Sequence, residues 1–421
     1  MKKSIFFILP AVMLMLASCM DSAGGNGGAG SVRVVLPGSS RDVSGSDRAD
    51  SYTVSLIKGG KVIESQTAVP GGAVEFDEVD AGSYTVDVEA TLNGALSGVG
   101  SAEVSVTEGE TASCSVLMNR VYTAVAAAEY IESLEAGSYK VIVAGAIDDA
   151  GIEGIKTALN ENNINKPLVS LDLGRTTGLS SIGAAKFQNC TALSGIVLPE
   201  GIGSIDENAF EGCTSLASVT IPDTVNEIGQ FAFLNCSALE SVEIPNSVTT
   251  IASGAFRECT ALTSIEIPRG VITIGSDSFN GCTALESIEI PDSVTTIERA
   301  AFHGCSSLTD VYIPDSVTEI GNQTFTKCSN LKSIVLSVGI TSIAEQVFRE
   351  CTALTSIEIP DGVSEIKSSA FMSCTALETI TISASLTSIG ANAFVSCNKL
   401  KTVYYSGTKE QWSSSSIESS L

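Results

Sequence analysis

One histidine and one tryptophan, His303 and Trp412, occur in the 421 residues of this chain. So little imidazole removes most general-base and zinc-site chemistry, which draw heavily on histidine. Basic residues are also scarce: 23 lysines and arginines face 48 acidic residues, for a net charge of −25. Nucleic acid is therefore excluded as a partner class, because its recognition needs a basic face. None of the 12 cysteines stands in a C-x-x-C pair, so they do not read as metal ligands. Hydroxyl groups are plentiful, but a nucleophile needs a base and an orienting partner, and none is in view. No glycine-rich phosphate loop precedes a helix. The expectation is a non-enzyme with no cofactor and no metal.

What is present is a period. Cysteines stand at 190, 213, 236, 259, 282, 305, 328, 351, 374 and 397, each 23 residues after the last. Around them one pattern recurs, read best at Ile244 to Ile267: I-P-x-x-V-x-x-I-x-x-x-A-F-x-x-C-x-x-L-x-x-I-x-I. A fixed period in this range marks a solenoid. One repeat offers about seven apolar side chains, and burying them does not offset the entropy of ordering its backbone. Neighbouring repeats that share a core and pair strands can hold together. The Leu262-x-x-Ile265-x-Ile267 segment is the strand-bearing part, and Ala255-Phe256 with Cys259 forms the returning turn on the opposite side. Each cysteine points inward, which makes a column of buried thiols acting as small hydrophobes.

These residues resemble the 23-residue leucine-rich repeat of BspA-like bacterial surface proteins, including the Treponema type, over about residues 168 to 412. The resemblance implies a leucine-rich-repeat solenoid of about ten coils. It also implies attachment to host matrix proteins or to other cells, though a fold hosts many functions. Proline follows the strand in most coils, where its missing N–H ends pairing, but serine replaces it at Ser337 and Ser383. The closing run Tyr404-Tyr405-Ser406-Gly407-Thr408-Lys409-Glu410-Gln411-Trp412 resembles the ending of BspA-like arrays, with Trp412 covering the last coil.

The chain opens like an export signal: Lys2 and Lys3, then an apolar run from Ile5 to Leu16 too short for a comfortable membrane span. Leu16-Ala17-Ser18-Cys19 resembles the lipobox of bacterial lipoproteins, which implies acylation at Cys19. Acyl chains anchor firmly because each buried methylene adds about 0.8 kcal/mol. The expected location is the bacterial outer membrane, lipid-anchored and surface-exposed.

Between anchor and array the pattern changes twice. Strand-length segments at Val32–Leu36, Tyr52–Leu56, Tyr84–Val88 and Ala102–Val106, punctuated by Gly59-Gly60 and Gly71-Gly72, predict a small β-sandwich. The run Phe76 to Val86 resembles bacterial Ig-like or transthyretin-like modules, and a spacer role is favoured. Cys114 is read as a buried thiol. Helical pieces at Ala124–Leu134 and Ile152–Leu159 then bracket a strand, Tyr139–Val143. The expected division is 1–18 signal peptide, 19–30 flexible tether, 31–119 β-sandwich and 120–167 α/β N-terminal cap. The solenoid follows at 168–400, with 401–421 as C-terminal cap and tail.

Strand alternation sends two columns outward. One runs through Ser241, Ser264, Ser287 and Asp310, the other through Glu243, Glu266, Glu289 and Tyr312. Three stacked glutamates repel by about 1 kcal/mol per adjacent pair in water, a spacing that solubility alone does not favour. They can also be copies left by repeat duplication. Acid beside an aromatic anchor suits a basic, partly apolar protein segment. Two functions follow: a surface protein that binds protein ligands through this face, or a periplasm-facing structural lipoprotein without an external ligand.

Overall fold

The computed structural model describes residues 30–36, 49–70, 72–92, 95–113, 116, 119–161 and 167–414. Cys19, Cys114, the signal segment and all of the tether but Gly30 lie outside those residues. The chain divides into two compact units, one ending at Thr123 and also holding Val141–Gly145, the other formed by Ala124–Lys140 and Ala146 onward.

The first unit is a β-sandwich. Its strands are β1 (Gly30–Val35), β2 (Ser51–Lys58), β3 (Lys61–Ala68), β4 (Ala73–Val79), β5 (Gly82–Leu92), β6 (Ala95–Val106), β7 (Thr111–Ser113) and β8 (Asn119–Tyr122). One sheet has the order β4-β1-β7, and the other runs β3-β2-β5-β6-β8. Alternate residues of both sheets meet in one core: Val32, Val34 and Phe76 with Tyr52, Val54, Val86 and Val88. Gly59 and Gly60, at φ 57° and 76°, close the β2–β3 hairpin in the left-handed geometry that twisted two-residue turns require.

The second unit opens with α1 (Ala124–Glu132), contains α2 (Asp149–Glu161), and enters the solenoid at β10 (Leu168–Thr177). The strand between the helices is β9 (Ser138–Ala146), whose Val141–Gly145 belong to the first unit and pair parallel with β8 there. The Asp148 carboxylate accepts the Gly151 N–H at 2.9 Å, a cap for the first turn of α2. Regular coils follow to a final helix, α3 (Lys409–Ser414), where Trp412 packs against Tyr405 with ring centroids 5.1 Å apart. The cysteine-bearing coils and the end coils together make about twelve turns.

Three columns hold the coils together. Phenylalanines from Phe187 to Phe394 stack one per coil, near-parallel, with centroids 5.2–5.9 Å apart. The ten cysteines Cys190 to Cys397 are buried free thiols. Each from Cys213 on donates its S–H to the carbonyl of the phenylalanine one coil back, as Cys213 does to Phe187 at 2.9 Å. The third column is a second line of short strands, such as Thr250–Ile251 paired to Thr273–Ile274, which in turn pairs with Thr296–Ile297. Sequence reading anticipated only the Leu-x-x-Ile-x-Ile strand and missed this one.

The returning turn has its own backbone solution. Two positions per coil, four residues apart, take positive φ: Asn208 and Gly212, Phe231 and Asn235, Asp277 and Gly281, Gln323 and Lys327. Between them the chain donates to the next coil, as Phe210 N–H does to Ala232 and Phe233 N–H to Ala255, both at 2.8 Å. This satisfies backbone groups that a buried turn would otherwise orphan.

The Leu-x-x-Ile-x-Ile ladder is less continuous than its sequence suggests. It is regular at Ser218–Thr220, Asp310–Tyr312, Ser333–Val335 and Ser356–Glu358. Between them, in the coils of Glu243, Glu266 and Glu289, only the bridge Glu266–Glu289 remains. The gap coincides with the three stacked carboxylates.

Candidate protein-binding face

Alternation along the Leu-x-x-Ile-x-Ile segment buries Val242, Ile265, Ile288 and Val311 and turns their neighbours to solvent. Ser241, Glu243, Ser264, Glu266, Ser287, Glu289, Asp310 and Tyr312 are all exposed. The structure brings together half of them. Glu266, Glu289, Asp310 and Tyr312 line one open groove of about 770 Å³, while Ser241, Glu243, Ser264 and Ser287 stand outside its lining.

The groove has members that the sequence-derived set omitted: Arg269, Asp292, Ser333 and Val335. Val335 is the direct strand partner of Tyr312, and the two are 57% and 56% exposed. The available signal was the break in the glutamate series, where tyrosine and then valine take the outward position. Ser333 donates its hydroxyl to the Asp310 carboxylate. That bond, with a second from Thr309, holds Asp310 below the ordinary carboxylate range and keeps it ionised.

Just beyond the groove, Val338 is 65% exposed, in the coil where serine replaces proline. Ser337 is buried, donating to the Val317 carbonyl at 2.6 Å and accepting the Gly339 N–H at 2.9 Å. It ends the strand by side-chain capture instead of by a missing donor.

On the second strand column lies another groove, about 760 Å³, lined by Glu298, Arg299, Glu319 and Lys367 among hydroxyl residues. Arg299 there is paired to Asp277, outside the lining, at 3.6 Å. His303 contacts Asn280 through Nδ1 at 3.3 Å, and burial lowers its pKa. Among the described residues no cluster of three or more His, Cys, Asp or Glu side chains is arranged to hold a metal. Among the same residues no helix is long and apolar enough to cross a membrane.

Stacked coils with a repeated Phe–Cys core and paired strands define a leucine-rich-repeat solenoid. Residues 180–309 and 295–421 match the BspA type leucine rich repeat region, in six copies, and the chain belongs to that family. Similar solved structures include a leucine rich cell surface protein from Faecalibacterium prausnitzii A2-165, 29% identical, covering 68% of this chain and 86% of that one at a TM-score of 0.35. A leucine-rich repeat protein from Bacteroides ovatus ATCC 8483 is 27% identical over 62% of this chain and 82% of its own, at 0.36. The T. pallidum leucine rich repeat protein is 29% identical over 49% and 77%, at 0.33. No curated protein matches the chain.

Proposed function

We propose that the chain is a non-enzymatic cell-surface lipoprotein that binds protein ligands through its strand face, in adhesion to host matrix or to other cells. The observation that carries this reading is an exposed tyrosine, Tyr312, in a groove walled by Glu266, Glu289 and Asp310. Large aromatics left in solvent beside ordered charge are what protein interfaces use as anchors. Membership of a bacterial leucine-rich-repeat family supports an interaction role, since stacked repeats present an extended, rigid surface. The Leu16–Cys19 lipobox supports lipid attachment at Cys19, and through it a place at the outer membrane. The sandwich and the segment 120–167 then serve as spacer and N-terminal cap.

Two experiments test the reading. Protease shaving of intact cells should remove the solenoid; protection until the cells are permeabilised would favour the periplasm-facing structural role. Replacing Glu243, Glu266 and Glu289 together with glutamine should slow association with a bound matrix protein more than it speeds release, because rim charge acts chiefly on encounter. Unchanged rates in a folded variant would move the site off this face.

A further inference from the structure

The outward column around the groove has a definite order: Glu289, Tyr312, Val335, Glu358, one residue per coil. Two apolar side chains, each more than half exposed, are thus bracketed by an acid on either side. A single exposed apolar residue needs no explanation, but two facing each other on paired strands form a small patch. The column immediately before it, Glu243 and Glu266, is acidic and carries no apolar residue.

From this order we infer the chemistry of the partner: an extended segment with one apolar side chain between two basic ones, in the pattern basic-x-apolar-x-basic. The inference rests on the strand face being a binding surface. Its geometry is simple. Strand rungs are about 4.8 Å apart, so Glu289 to Glu358 spans roughly 14 Å, with Tyr312 near 5 Å and Val335 near 10 Å along it. An extended chain rises about 3.4 Å per residue and shows alternate side chains on one face. Residues i and i+4 of such a segment are therefore about 14 Å apart and meet the two glutamates. Residue i+2, about 7 Å along, falls between Tyr312 and Val335. Asp310, held ionised by Ser333, adds negative charge on the parallel column beside the tyrosine.

The test uses the whole mature chain and two synthetic peptides of identical composition. One is Gly-Ser-Arg-Thr-Leu-Thr-Arg-Ser-Gly and the other the permuted Gly-Ser-Arg-Leu-Arg-Thr-Thr-Ser-Gly, both capped at the ends and labelled for fluorescence anisotropy at low salt. The first should bind about fivefold more tightly, as two exposed charge pairs allow. Its binding should weaken about threefold in Glu358→Gln and in Tyr312→Ala, and stay unchanged in Glu227→Gln, an exposed glutamate of the second strand column that lines neither groove. All three positions are exposed, so matching melting curves will show that the variants fold. Equal binding of the two peptides, or no measurable binding of the first, overturns the proposed spacing. If Glu243→Gln and Glu266→Gln weaken binding while Glu358→Gln and Tyr312→Ala do not, the spacing is wrong and the strand face still stands. If none of these variants changes binding, both readings fail.

Discussion

The thiol of Cys328 donates to the main-chain carbonyl of Phe302, one coil earlier, at 3.2 Å. The same carbonyl accepts the N–H of Cys305 at 3.2 Å within its own coil. One oxygen therefore joins a turn to itself and to its neighbour. The cysteine column does more than fill space: it makes an inter-coil bond that alanine would lose and no apolar residue of similar size would restore.

Cys328→Ala should accordingly destabilise the solenoid by about 1–2 kcal/mol, part from the lost thiol donor and part from the small cavity. Denaturant unfolding followed by circular dichroism measures it. A change within error would show that neither the thiol bond nor the packing of this column contributes measurably.

Alkaline pH should weaken the fold. Burial pushes the thiols of Cys236, Cys282 and Cys328 up to about 12, against an ordinary value of 9.0. Below pH 9 both folded and unfolded thiols are neutral and the stability is intact. Between 9 and about 12 the unfolded chain loses protons that the folded chain keeps, so stability falls as pH rises. At neutral pH the same thiols should resist maleimide until the protein is unfolded. Rapid native-state labelling of these three residues would contradict their burial.

The left-handed positions of the turn should respond in opposite ways to glycine. Gly254 has φ 63°, and an added Cβ would lie 2.3 Å from Cδ1 of Phe231 in the preceding coil. Gly254→Ala should cost about 2 kcal/mol or more, from the clash and the strained backbone together. Lys327 is exposed with φ 63°, at the position where Gly281 and Gly304 stand in earlier coils. Lys327→Gly should stabilise by up to about 1 kcal/mol, because relief of the left-handed conformation slightly exceeds glycine's entropy. Thermal melts of the two variants decide, and a drop for Lys327→Gly would show that its side chain supports the turn.

Much of this architecture was legible in residues alone. Phe256 and Cys259 recur at a strict period, and buried residues that recur once per coil must form columns when coils stack, whatever the details of the turn. The inward facing of Ile265 and the outward facing of Glu266 and Tyr312 followed from alternation, a local property of extended chain, although a regular strand forms at Asp310–Tyr312 and only a bridge at Glu266. Even the break at Tyr312 and Val335 is legible in the residues, although acid beside an aromatic singles out only the tyrosine.

Other features required the stacked coils. The Thr250–Ile251 strand is two residues long, too short for any alternation to show, and exists because Thr273–Ile274 lies beside it. Positive φ at Phe231 or Ala300 contradicts what those residues prefer, and is set by hydrogen bonds to the next coil. Arg269, Asp292 and Val335 enter the groove of Glu289 and Tyr312 because residues from successive coils are brought one rung apart. Periodicity specifies what lies inside and what faces out, since burial repeats with the coil. Which exposed residues share a groove depends on distances between coils, and those arise only when the backbone ladders close.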